Sequence, residues 1–71
     1  MTPTQCRAAR AILNLKRADL AEAAGIAEKT LGDFERKTRT MLRPHVDLVR
    51  RELEKRGIEF LGDNGIRWPR T

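Results

Sequence analysis

Apolar residues recur at helical spacing in three segments of the chain and a fourth is rich in alanine, and caps, prolines or glycines fall at their ends. The first segment predicts a helix over residues 3–13. Its apolar stripe is Ala8, Ala9, Ile12 and Leu13, with Arg7 and Arg10 between them. Thr2 is placed to cap it, Pro3 suits its first position, and Gln5 stands where a capping-box partner belongs. A second helix runs from Arg17 to Ala24 and stops at Gly25, a residue that enters the left-handed conformation at little cost. Ile26 and Ala27 separate it from a third, Glu28 to Arg36. There Leu31 and Phe34 share one face, and Glu28, Lys29, Gly32, Asp33 and Arg36 share the opposite one. After the basic loop Lys37 to Arg43, Pro44 opens a fourth helix with Val46, Val49 and Leu53 inward, ended by Gly57. Ile58–Leu61 and Ile66–Trp68 then read as short strands flanking Asp63-Asn64-Gly65, and Asn-Gly predicts a tight hairpin turn. The expected fold is mainly α: a four-helix domain over residues 1–56 and a short C-terminal β-hairpin over 57–71.

Composition narrows the function classes. A chain of 71 residues is one small domain that buries only about 60% of its unfolded surface, so dimerisation would help it. Fifteen Lys+Arg against ten Asp+Glu leave a formal charge of +5, which favours a polyanionic partner. The single cysteine, Cys6, excludes an intramolecular disulfide or a zinc site built on paired cysteines. One histidine, no tyrosine and no glycine-rich phosphate loop leave no enzymatic site to build, so no catalytic residue, cofactor or metal is expected. RNA recognition through stacked bases lacks its platform, because the aromatics are Phe34, Phe60 and Trp68 alone. No apolar stretch of signal-peptide or membrane-span length occurs, and a cytoplasmic protein without membrane partners is expected.

Asp19-Leu20-Ala21, Gly25-Ile26, Leu31 and Phe34-Glu35 are spaced as in two helices joined by a short glycine-containing turn. Ala21 is small enough for the helices to approach, Gly25 turns sharply, and Leu20, Ile26, Leu31 and Phe34 fill the wedge. On these residues the chain resembles the Cro/CI-type (XRE) family of phage and bacterial transcriptional regulators over residues 3–56. The ending Gly57-Ile58-Glu59-Phe60-Leu61 is similar to a subset of small bacterial members. The resemblance implies a Cro/CI-like helix-turn-helix domain that binds a double-stranded DNA operator. It implies a homodimer on an inverted repeat with the second helix of the motif in the major groove. The sequence leaves open whether polymerase is occluded or recruited, and repression, which needs only occupancy, is the simpler expectation. It places base contacts at Glu28, Lys29, Gly32 and Asp33, and phosphate contacts at Lys16, Arg17, Arg36, Lys37, Thr38, Arg39 and Arg43. It also implies a structural salt bridge between Arg10 and Glu35.

The sequence departs from the family pattern at three points. Lys16 stands where a Ser or Thr cap is usual and cannot accept a backbone hydrogen bond. Gly32 lies inside the recognition helix at a cost of about 1 kcal/mol against alanine. Glu28 and Asp33 bring negative charge toward phosphates, although a carboxylate can accept from cytosine N4 and Lys29 can donate to guanine. The alternative is a protein-binding adaptor on the same fold, anti-activator or antitoxin-like, docking a partner on this acidic face. Elsewhere Cys6 is expected to be buried as a small hydrophobe, His45 to be partly exposed, and Arg50-Arg51 to be solvated. A two-stranded hairpin is marginal alone. Ile58, Phe60, Ile66 and Trp68 are therefore expected to contribute to a homodimer interface, with packing on the chain's own fourth helix as the alternative.

Overall fold

In a computed structural model, which describes residues 1–62 and 64–69, helix α1 spans Pro3–Leu13, α2 Arg17–Ala24, α3 Glu28–Glu35 and α4 Arg43–Lys55. Strands β1, Glu59–Leu61, and β2, Gly65–Arg67, follow as an antiparallel pair. The chain is thus mainly helical with a short two-stranded sheet. Asp63 of the expected turn and residues 70–71 of the hairpin segment lie outside the described residues.

The helix ends follow from their cap residues. Thr2 Oγ1 accepts from the Gln5 N–H at 3.1 Å, and Gln5 Oε1 accepts from the Thr2 N–H at 2.9 Å, which completes the capping box. Lys16 precedes α2 with no side-chain cap. Gly25 ends α2 at φ +78°, a conformation costly for any residue with a Cβ. Helix α3 stops at Glu35, one residue short of the expected end. Lys37 adopts φ +62°, and Thr38 N–H folds back to the Asp33 carbonyl at 2.9 Å. Helix α4 starts at Arg43 rather than Pro44, so the proline sits inside the first turn, where it sacrifices no intrahelical hydrogen bond.

One apolar cluster joins all four helices: Cys6 and Ala9 from α1, Leu20, Ala21 and Ala24 from α2, Leu31 and Phe34 from α3, Val49 and Leu53 from α4. The α1 stripe is rotated from expectation. Gln5, Cys6 and Ala9 are buried, Leu13 flanks them, and Ile12 faces outward. Val46 is half-buried at the cluster's edge. Met41 is buried and pins the α3–α4 connection to the core, whereas its neighbour Leu42 is exposed.

The hairpin departs most from the sequence reading. Leu61 pairs with Gly65, so Asn64-Gly65 is not an isolated two-residue turn, and Gly65 belongs to the strand. A Cβ on Gly65 would lie 2.7 Å from the Leu61 carbonyl oxygen, so the register requires glycine there. The buried Gln5 amide explains the docking: its Nε2 donates to the Gly65 carbonyl at 2.9 Å, and Thr2 Oγ1 bonds Asn64 Oδ1 at 2.9 Å. Strand β2 is therefore anchored on α1, whereas the sequence alternative placed the hairpin on α4. Phe60 and Ile66 pack half-buried against the core, with the Arg50 guanidinium 5.8 Å from the Phe60 ring centre. Ile58 is wholly buried in the chain's own core, which corrects its assignment to a dimer interface. Trp68 stays 49% exposed. No helix among the described residues is long and apolar enough to cross a membrane.

Replacement of Ile58 by Ala is expected to cost about 2–4 kcal/mol in urea unfolding, as for other buried large-to-small changes. Trp68→Ala should cost less than about 1 kcal/mol, in line with exposed positions. Equal losses would contradict the split between a buried Ile58 and an exposed Trp68.

Candidate nucleic-acid interface

The orientation of α3 is set by a buried carboxylate. Glu35 is 1% exposed, and Arg10 from α1 grips it with both arms of its guanidinium, Nε to Oε2 at 2.7 Å and Nη2 to Oε1 at 2.8 Å. The third Arg10 nitrogen, Nη1, donates to the Leu15 carbonyl at 3.1 Å, which fixes the α1–α2 connection. Arg7 Nη1 donates to the Glu35 carbonyl at 3.2 Å, and the Cys6 thiol donates to Oε2 at 3.1 Å. A buried carboxylate needs this many partners, because isolated it would cost far more than one pair returns. The hydrogen bond to Glu35 raises the pKa of Arg10 against the opposing effect of burial. Burial, and after it the bond to Glu35, pushes the Cys6 thiol well up. Cys6 is therefore a proton-bearing donor as well as a small apolar residue. Its spacing of four from Arg10 puts both on one face of α1, a signal the sequence carried.

The outward face of α3 is arranged differently from a simple exposed stripe. Lys29 is exposed, and its Nζ lies 3.4 Å from Asp33 Oδ2. Arg36 Nη2 donates to Asp33 Oδ1 at 3.0 Å, and Thr38 Oγ1 donates to the Asp33 carbonyl at 3.1 Å. Burial alone would raise the Asp33 pKa, but hydrogen bonds from Arg36 and Lys29 and their charges outweigh it and hold the carboxyl below its ordinary value. Gly32, on the same face, is buried. The site of its missing Cβ is 3.1 and 3.2 Å from Arg36 Nη1 and Nη2 and 3.4 Å from Arg17 Cζ. Arg17 Nε lies 3.8 Å from Glu28 Oε2, and Arg17 Nη1 lies 4.0 Å from Glu35 Oε1.

A basic rim surrounds this face in sequence. Lys16 at the start of α2 and Lys37, Thr38, Arg39 and Arg43 after α3 are exposed. Among the described residues, no ion pair engages Lys16, Lys37, Arg39 or Arg43. Pro3, Phe34, Lys37, Thr38, Arg39 and Thr40 line one shallow depression. Leu20, Ala21, Leu31 and Phe34 are buried behind α3, and Ile26 packs half-buried beside them. No group of three metal-ligating side chains occurs among the described residues.

A methyl group at Gly32 meets only the far ends of two long, flexible-stemmed arginine side chains. Gly32→Ala is therefore expected to stabilise the fold by about 0.5–1 kcal/mol, the helix-interior difference between the two residues. Urea unfolding measures it, and a loss of stability would mean that the arginines cannot yield. Comparison with models of known protein families and with curated proteins finds no match to this chain.

Proposed function

We propose that this chain is a sequence-specific duplex-DNA-binding regulator, with α2 and α3 as a Cro/CI-like helix-turn-helix and α3 as the helix that enters the major groove. The observation that carries this reading is the division of charge between face and rim. Glu28 and Asp33 lie beside Arg17, Lys29 and Arg36, so the carboxylates of α3 are matched within the chain. The cations of the rim, Lys16, Lys37, Arg39 and Arg43, are exposed without such partners among the described residues. Unpaired cations flanking an electrically matched face suit phosphate anchoring around a selective reader. An acidic face for docking a protein, the basis of the adaptor alternative, is weakened by the same internal pairing.

Such a domain reads one half-site. A homodimer on an inverted repeat would place two copies of α3 on the order of 34 Å apart. Trp68 at 49% exposure and Leu61 at 36% are the hairpin side chains left for that contact. Repression by occupancy of the operator is the simplest action, and the domain works as a binding module and not as an enzyme.

Fluorescence anisotropy with duplexes from upstream of the encoding gene tests the proposal. The logarithm of the binding constant should fall linearly with the logarithm of salt, by about 0.9 for each phosphate neutralised. Joint replacement of Lys37 and Arg39 by Ala should make that slope shallower by about two. Salt-independent binding would contradict the proposal. So would stoichiometric capture of a protein together with no affinity for any duplex.

A further inference from the structure

Two guanidinium groups share one small area of the α3 surface. Gly32 occupies the interior of α3, where glycine is less favourable than any residue but proline. The space its side chain would fill is taken by Arg36, with Nη1 at 3.1 Å and Nη2 at 3.2 Å from the Cβ position, and by Arg17, with Cζ at 3.4 Å. Like charges at this spacing repel. They are held by carboxylates on either side, Glu28 Oε2 at 3.8 Å from Arg17 Nε and Asp33 Oδ1 at 3.0 Å from Arg36 Nη2.

The two arginines are unequally satisfied. Arg36 donates to Asp33, whereas Arg17 Nε is buried and has no hydrogen-bond partner among the described residues. Such a donor carries a desolvation cost, which an arriving acceptor removes once the Arg17 head turns outward to meet it. The Glu28 side chain beside it is 56% exposed and has room to turn aside.

We propose that Arg17 and Arg36, laid together over the bare backbone of Gly32, form a clamp for one DNA phosphate. In the free protein Glu28 and Asp33 occupy the clamp, and they give way when the duplex docks. A phosphate presents several acceptor oxygens and takes two planar guanidinium forks at once, each through charge-assisted hydrogen bonds. Arg17 and Arg36 are then binding residues, while Glu28 and Asp33 are positioning residues that keep the forks folded until a stronger acceptor arrives. Glycine at position 32, unfavourable for the helix, leaves the forks the room that a methyl group would take. The inference rests on the DNA-binding reading given above.

The test uses the full chain and a labelled mixed-sequence duplex of about 20 base pairs, titrated at several salt concentrations. Gly32→Ala should bind about three- to tenfold more weakly while unfolding at no lower urea concentration than the native chain. Arg17→Lys keeps the charge but loses the fork, and should weaken binding by a similar factor with the salt slope unchanged. Asp33→Asn should tighten binding by more than Asp19→Asn, which removes the same charge from the exposed first turn of α2. Native affinity in Gly32→Ala or Arg17→Lys would overturn the clamp. An Asp33→Asn effect no larger than that of Asp19→Asn would overturn the holding role of the carboxylates. A native chain that binds no duplex at any salt concentration would overturn the DNA-binding reading and the clamp with it, before any variant is compared.

Discussion

The bidentate pairing of Arg10 with the buried carboxylate of Glu35 is the constraint on which the rest of the structure depends. It joins the first helix to the third, and through the Leu15 carbonyl it also holds the turn into the second. Removing one member of such a pair costs about 3–5 kcal/mol, because the other is left buried and uncompensated. Small domains have a total stability of about 5–15 kcal/mol, so the loss would consume much of what holds a chain of 71 residues together. The apolar cluster supplies the bulk of the folding free energy but is non-directional. The Glu35 node fixes direction: Arg7, Arg10 and Cys6 all reach it from one face of α1.

With the inner side of α3 fixed in this way, its outer side carries the proposed reading face, and Gly32 is where that proposal sets stability against recognition. A helix of this length would be firmer with alanine at that position. The room glycine leaves is filled by two arginine heads instead of a methyl group. Ion pairs around them match the α3 carboxylates locally, while the exposed cations of the following loop have no such partners among the described residues. The same local sequence thus separates a matched face from a charged rim.

Much of the architecture was legible because the signals are local. Thr2, Pro3 and Gln5 mark one helix start within four positions, and Gly25 marks a helix end through its own backbone preference. Alanine richness and Gly25 placed α2 to the residue, and apolar periodicity placed α3 and α4 to within a residue at each end, since burying one face of a helix needs just such a repeat. What escaped the sequence depends on partners far along the chain. Gln5 reads as a cap residue, yet its amide also holds the hairpin 60 positions away. Met41 and Leu42 are adjacent apolar residues in a basic loop, and no period reveals that the first is buried and the second exposed. Spacing places Gly32 on the outer face of α3 but says nothing of which long side chains fold across it. Ile58 looked like interface for a similar reason: a short apolar run does not tell whose core it enters.

The most direct measurement is a backbone amide chemical-shift map of the labelled protein titrated with duplex DNA. If α3 and its rim form the interface, the largest changes fall on residues 16–18 and 28–39. Beyond Arg43 of the rim, the outward positions of α4 and the hairpin should stay still at one protein per half-site. Shifts centred on α4 or on Leu61 and Trp68, with α3 unmoved, would contradict the placing of α3 as the reading helix.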